Sequence, residues 1–214
     1  MKNIGLLPVI GIILMAVLSF ANFTGVTIAG LAVIIGIIFF FVNKLREKQP
    51  SRESGLDIRN VGRDLKQNGL WLWIILPVGM NLISIGIALL FLPDYLRHVI
   101  TRTEAFLTWD LLVLLIFQLA FFALGEEIAW RAFFQKQLYK VMPILPALLL
   151  SSLLFTLGHT VLGDSAVVAY DLMFVFINSV LFGIVFYKTN NAWVSAIAHF
   201  LANFSSVVFF LWFY

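Results

Sequence analysis

The stretch LLVLLIFQLAFFALGEEIAWRAFF, residues 111–134, decides how the rest of the chain is read. Its first fourteen residues hold one polar side chain, Gln118, and Phe133 and Phe134 close it. Between them stand Glu126, Glu127 and Arg131. An apolar run of this length reads as a helix crossing hydrocarbon, where an ionised group costs several kcal/mol unless it is paired. The segment is therefore read as a membrane-spanning helix that carries a functional cluster.

The composition agrees. Of 214 residues, 62% are hydrophobic and 12% charged, and the mean hydropathy is +1.01, far too apolar for a water-soluble globule. The absence of cysteine excludes a disulfide framework, thiolate metal ligation and a cysteine nucleophile. The net charge of +3 does not point to nucleic acid, because the basic residues sit between apolar runs, where membrane orientation accounts for them.

Runs of about 20 apolar residues are needed to cross ~30 Å of hydrocarbon. Seven occur, near residues 4–21, 25–43, 70–92, 109–135, 144–163, 167–187 and 192–213. The expected fold is thus an all-α polytopic membrane protein with about seven transmembrane helices, forming a single integral membrane domain over 1–214. The first run follows Lys2 but has no small-residue cleavage site, so it is read as an uncleaved helix. Residues 44–69 carry seven basic side chains against four acids, which makes this loop cytoplasmic by the positive-inside rule. The N-terminus then lies inside and the C-terminus outside, with eleven of the fourteen basic residues in inside segments. Trp71, Trp73, Trp109 and Trp212 read as interfacial anchors, and the 44–69 loop as a linker with a short interfacial helix.

Helical geometry separates the two glutamates. Glu127 and Arg131, at i and i+4, share a face and can pair, either as a clasp that fixes packing or in support of a site. Glu126 points elsewhere, with Trp130 and Phe133 expected on its side to desolvate the carboxylate and suit it to general acid–base work. In FTLGH, residues 155–159, Phe155 and His159 are one turn apart near the end of the fifth run. In AIAHFLANF, residues 196–204, His199 and Asn203 are again i and i+4. Glu126 and His159 lie about equally far, ~25 Å, from the turn near Met142 and Pro143 that joins their helices. Antiparallel packing would bring them to one height. His199 is only about seven residues, ~10 Å, into the last run, and the two depths agree if the polar end of the fourth run, with Gln135, Lys136, Gln137 and Lys140, projects into the cytoplasm or lies along the interface; the site is therefore expected in the cytoplasmic half of the membrane.

The ordered set Glu126-Glu127-x-x-x-Arg131, Phe155-x-x-x-His159 and His199-x-x-x-Asn203 resembles the CPBP intramembrane protease family. That family includes the type II CAAX prenyl endopeptidases and the bacterial Abi or bacteriocin-processing proteins. The stretch FINSVLFGIVFYKTNNAWVSAIAHFLANF, residues 176–204, also looks like the family's penultimate helix, turn and final motif. The resemblance covers roughly residues 109–205 and implies a protease core formed by the last four helices, 109–214. It leaves the spans in 1–43 and the third span without a family mark.

The resemblance implies an endopeptidase in which Glu126, helped by His159, activates water to attack a peptide carbonyl, with His199 and Asn203 as oxyanion donors. Glu127 and Arg131 would support Glu126, and Trp130 and Phe155 are substrate-pocket candidates. The expected partners are a peptide or membrane-protein substrate and the lipid bilayer. Oligomeric state is not legible. A glutamate with two histidines could also bind zinc. The chain lacks HExxH, however, and the family is regarded as metal-independent, so no cofactor or catalytic metal is expected. The alternatives are a non-catalytic bacteriocin-immunity or scaffold protein of the same family, and a small proton-coupled transporter.

Overall fold

Among the described residues, six helices are long and apolar enough to cross a membrane, and they account for all but one of the expected spans. The computed structural model describes residues 4–25, 28–100 and 111–213; Lys2, Arg102 and Trp109 lie outside them. In chain order the elements are α1 (Leu6–Phe23), α2 (Ala29–Arg46), α3 (Ser51–Ser54), α4 (Val61–Asp64), α5 (Leu70–Phe91) and α6 (Asp94–Ile100). They continue with α7 (Leu112–Glu127), a π-helix over Ile128–Gln135, α8 (Lys136–Leu138), α9 (Ile144–Leu157), α10 (Ser165–Thr189) and α11 (Ala192–Phe213). The chain is an all-helical, multi-pass membrane protein. Its lipid-facing sides carry exposed side chains such as Leu72, Leu90, Phe91 and Val113, as a bilayer solvent permits.

The exception is the fifth run. The expected span over 144–163 is helical only over Ile144–Leu157, and 14 residues rise about 21 Å, short of the hydrocarbon thickness. Gly158, Thr160 and Gly163 are poor helix formers, and the chain turns there through three-residue bonds, His159 N–H to Thr156 O and Thr160 N–H to Leu157 O. His159 accordingly sits in the turn after α9 rather than within a helix. The Asn22 side chain of α1 donates to the carbonyls of Gly158 (2.8 Å) and Thr160 (2.9 Å), the two residues that flank it. Asp164 then caps α10 by accepting from the backbone N–H groups of Ala166 and Val167.

The π-helix is the centre of the packing. All eight of its residues are buried, and α2, α7, α9, α10 and α11 all touch it. Small residues let α2 approach closely: a Cβ on Gly36 would stand 2.6 Å from Ala129 Cβ and 3.0 Å from Ala129 Cα. A second core joins α5, α10 and α11 through Leu70, Ile74, Phe182, Val185 and Ala198.

The 44–69 loop is not the free linker expected from its composition. Its α3–α4 segment is docked on the turn between α10 and α11. Ala192 N–H donates to Gly55 O (2.7 Å), Asn190 Nδ2 to Arg52 O (2.7 Å), and Asn191 Nδ2 to Asp57 O (2.8 Å) and Asp64 Oδ2 (2.9 Å). Lys136, at the end of the π-helix, joins the same knot through Glu53 O and Asn190 Oδ1. At Gly55, φ is +90° and the Phe186 ring lies 3.0 Å from where a Cβ would be, so both conformation and space require glycine.

Gly36→Ala should therefore cost about 1–3 kcal/mol by overpacking against backbone that cannot yield. Gly30→Ala, on the same helix with nothing within 4 Å of its Cβ position, should be neutral or stabilising. Thermal melts of the detergent-solubilised variants check the contrast; equal melting temperatures would contradict it.

Candidate active site

The site begins with a paired charge at the junction of α7 and the π-helix. Glu127 and Arg131 are fully buried, and Arg131 Nε donates to Glu127 Oε2 at 3.3 Å, the pairing expected from their spacing. Arg131 also donates to Ser179 Oγ (2.9 Å) and Ser151 Oγ (3.5 Å), and its guanidinium carbon lies 5.3 Å from the centre of the Phe155 ring. Glu127 accepts in addition from Ser195 Oγ (2.7 Å) and from His199 Nδ1 (3.1 Å). A buried charge pair is tolerable only when its remaining hydrogen-bonding capacity is used, and here α9, α10 and α11 supply the partners.

That network orients the second glutamate's surroundings. Because His199 Nδ1–H is given to Glu127, its Nε2 faces Glu126, 3.8 Å from Oε2. His159 Nδ1–H is given to the Phe155 carbonyl at 2.8 Å, and its Nε2 likewise faces Glu126 Oε2, at 3.9 Å. Neither distance is a hydrogen bond. Three acceptor atoms thus converge, an arrangement that calls for a shared proton or a bridging donor. A water about 2.8 Å from both an Nε2 and Oε2 would subtend roughly 85–90° between them, a workable angle for one molecule.

Aromatic rings hold the imidazoles. Phe155 packs against His159 with ring centres 4.3 Å apart and meets the His199 ring edge-on at 6.0 Å, while Phe182 stacks on His199 at 4.4 Å. Glu126, Phe155, His159, His199 and Asn203 all line one cavity of about 260 Å³. Trp130 does not. It is buried against Phe134 and Phe155, and Phe133 packs against Phe39 of α2, while the rings that line the cavity with Glu126 include Phe155 and Phe182.

The cavity also takes Asn81 from α5, Tyr95 from α6, Asp171 and Asn178 from α10 and Ser206 from α11. Asp171 Oδ2 lies 3.7 Å from His98 Nε2. Sequence reasoning missed these groups. Asp171 was findable, as the one acid of an otherwise apolar span. Asn81 and Asn178 gave no comparable signal. Among the described residues, no group of three or more histidine, aspartate or glutamate side chains is placed to hold a metal ion.

Residues 108–205 match the family described as Type II CAAX prenyl endopeptidase Rce1-like, a stretch just under half of the chain that contains all three motifs. That segment is similar to this family of CAAX-type proteases, the family that the motifs suggested. No curated protein and no solved structure matches the chain.

Glu127→Gln removes the charge opposite buried Arg131 and should destabilise the protein by about 3–5 kcal/mol. Ser195→Ala removes one neutral donor from the same carboxylate and should cost about 1 kcal/mol. Denaturant titration in detergent compares them; a Glu127→Gln protein as stable as Ser195→Ala would show that the pair does not hold the fold.

Proposed function

We propose that the protein is an intramembrane endopeptidase that hydrolyses a peptide bond of a membrane-associated peptide or protein. The observation that carries the reading is the facing of Glu126 Oε2 by two imidazole Nε2 atoms, at 3.8 and 3.9 Å, within a cavity that also holds Asn203. Glu126 takes a proton from a water oriented by His159, and the resulting hydroxide forms the C–O bond to the scissile carbonyl. Negative charge then collects on the carbonyl oxygen, which accepts from Asn203 Nδ2 and from His199 when the proton shared within the Glu126 cluster stands on its Nε2. Glu127, which accepts the His199 Nδ1–H at 3.1 Å, holds the ring in that orientation. Collapse breaks the C–N bond, and the proton held by Glu126 passes to the leaving nitrogen, directly or through His159. Glu127 and Arg131 position this machinery rather than react. Residues 109–214 form the protease core.

The basic 44–69 loop is cytoplasmic in this reading, with the N-terminus inside and the C-terminus outside. His199 lies seven residues beyond Ala192, whose N–H is bound to that loop at Gly55 O, which puts the site ~10 Å beneath the cytoplasmic face. Substrates would be peptides near that face, such as a bacteriocin leader, a signalling-peptide precursor or a membrane-protein tail.

Purified protein incubated with a peptide library, read by mass spectrometry, tests the activity. Glu126→Gln and His159→Ala should each lower kcat by about 10²–10⁴. Among the described residues Glu126 accepts no hydrogen bond, and its approach to His199 is 3.8 Å, so melting should change little. Cleavage surviving in Glu126→Gln would exclude the mechanism. A wild type that cleaves nothing, but whose Glu126→Ala variant still confers bacteriocin immunity in cells, would be a binding protein. Chelation should leave cleavage intact, and rescue by zinc alone would assign the chemistry to a metal.

A further inference from the structure

Beside the Glu126 cluster, the same cavity is lined by an amide pair that the proposed chemistry does not use. Asn81 Nδ2 donates to the Ala202 carbonyl at 2.7 Å and to Ser206 Oγ at 3.1 Å. Asn178 Nδ2 donates to Asn81 Oδ1 at 2.6 Å. These orientations fix one another. The Ala202 carbonyl can only accept, so Asn81 must turn its nitrogen to α11 and its oxygen to α10, and Asn178 must then answer with its nitrogen. Asn178 Oδ1 is left over, buried and with no hydrogen-bond partner among the described residues, while the Asn178 side chain is 8% exposed and lines the cavity. An acceptor held so within a membrane interior is costly until a donor reaches it.

Its position gives the donor's identity. Phe182, which stacks on His199, is one turn along α10 from Asn178, and Ala202 is three residues beyond His199 on α11. The amide pair therefore sits about one helical turn, ~5 Å, from the Glu126–His199 contact, on the side away from the docked α3–α4 segment. An extended peptide advances ~3.4 Å per residue, so a chain whose scissile carbonyl lies at Glu126 brings a backbone N–H one or two residues away to this spot.

We propose that Asn178, its amide oriented by Asn81, binds the substrate main chain by accepting a backbone N–H within two residues of the scissile bond. This rests on the proteolytic reading and makes the substrate an extended backbone rather than a helix, whose N–H groups are already engaged. It also brings α5, outside the matched segment, into the binding site. Asn178 is a binding residue here and Asn81 a positioning residue.

The test uses the best-cleaved library peptide, resynthesised with single N-methyl amides at each position within three residues of the cut. With wild-type protein, one N-methyl amide within two residues should lower kcat/KM about tenfold, the worth of one hydrogen bond. Asn178→Leu should cleave the parent peptide about tenfold more slowly, yet lose no more than twofold on that same N-methylation. Asn178→Ser, smaller and still polar, serves if Leu impairs folding and should show the same lost sensitivity. Asn81→Leu should leave the parent peptide intermediate between wild type and Asn178→Leu. Wild-type cleavage insensitive to every N-methyl amide, or effects of N-methylation and of Asn178 substitution that simply multiply, would overturn the inference while leaving the protease intact. Absence of any Glu126-dependent cleavage would instead remove the proteolytic reading beneath it.

Discussion

Arg131 and Glu127 form an ion pair at zero exposure in a chain whose surroundings are hydrocarbon, and much of the late half of the fold follows from the need to satisfy it. Neither group can be released to water, and neither is stable there alone. The serines that complete it come from α9, α10 and α11, and the histidine from α11, so these helices are constrained in rotation and depth by one charge pair. The π-helix belongs to the same constraint. It turns Arg131, and one turn later Gln135, into the bundle, where Gln135 bonds Ser151 Oγ (3.2 Å) and the Gly183 carbonyl (3.1 Å). Gly183 leaves no room for a side chain: a Cβ there would stand 2.7 Å from Gln135 Oε1.

Adjacent carboxylates thereby receive opposite environments without any distant charge. Glu127 is saturated with donors, whereas Glu126, one residue earlier and partly exposed to the cavity, faces only Nε2 lone pairs. The link between them is the His199 ring, which touches one glutamate with each nitrogen. Binding of Nδ1 to a full carboxylate fixes the tautomer and the ring plane, and so what Glu126 meets. This is why the buried pair and the cavity residues cannot be understood apart.

Much of this was legible in the sequence because the bilayer penalises polar groups so strongly that each one within a span carries information. Six spans, the Glu127–Arg131 pairing and the convergence of Glu126, His159 and His199 followed from run length and i,i+4 spacing. What was not legible depends on tertiary hydrogen bonding. A π-helix has no pattern distinct from an α-helix over eight residues, so the packing of Trp130 on Phe134 and Phe155, outside the cavity lining, gave no signal. The end of α9 at Leu157 was hidden because Thr-Val-Leu after His159 is apolar enough to extend a span by hydropathy alone. The docking of the 44–69 segment was hidden too, since its partners Asn190 and Asn191 look like an ordinary polar turn.

The remaining lesson concerns the spans without a family mark. The matched segment ends at residue 205 and begins at 108, yet two of the hydrogen-bonded contacts that define its cavity come from before it. Asn22 of α1 holds the carbonyls on either side of His159, and Asn81 of α5 holds the carbonyl just before Asn203. Asn22 answers carbonyls that the turn after α9 leaves and that a bilayer cannot solvate, whereas Asn81 bonds a carbonyl within the continuous α11 and ties α5 to the site. The motif residues can depart from regular helix, as His159 does, only because that compensation is supplied elsewhere. What the early spans supply is a donor at that depth, a constraint on geometry that leaves almost no trace in a motif.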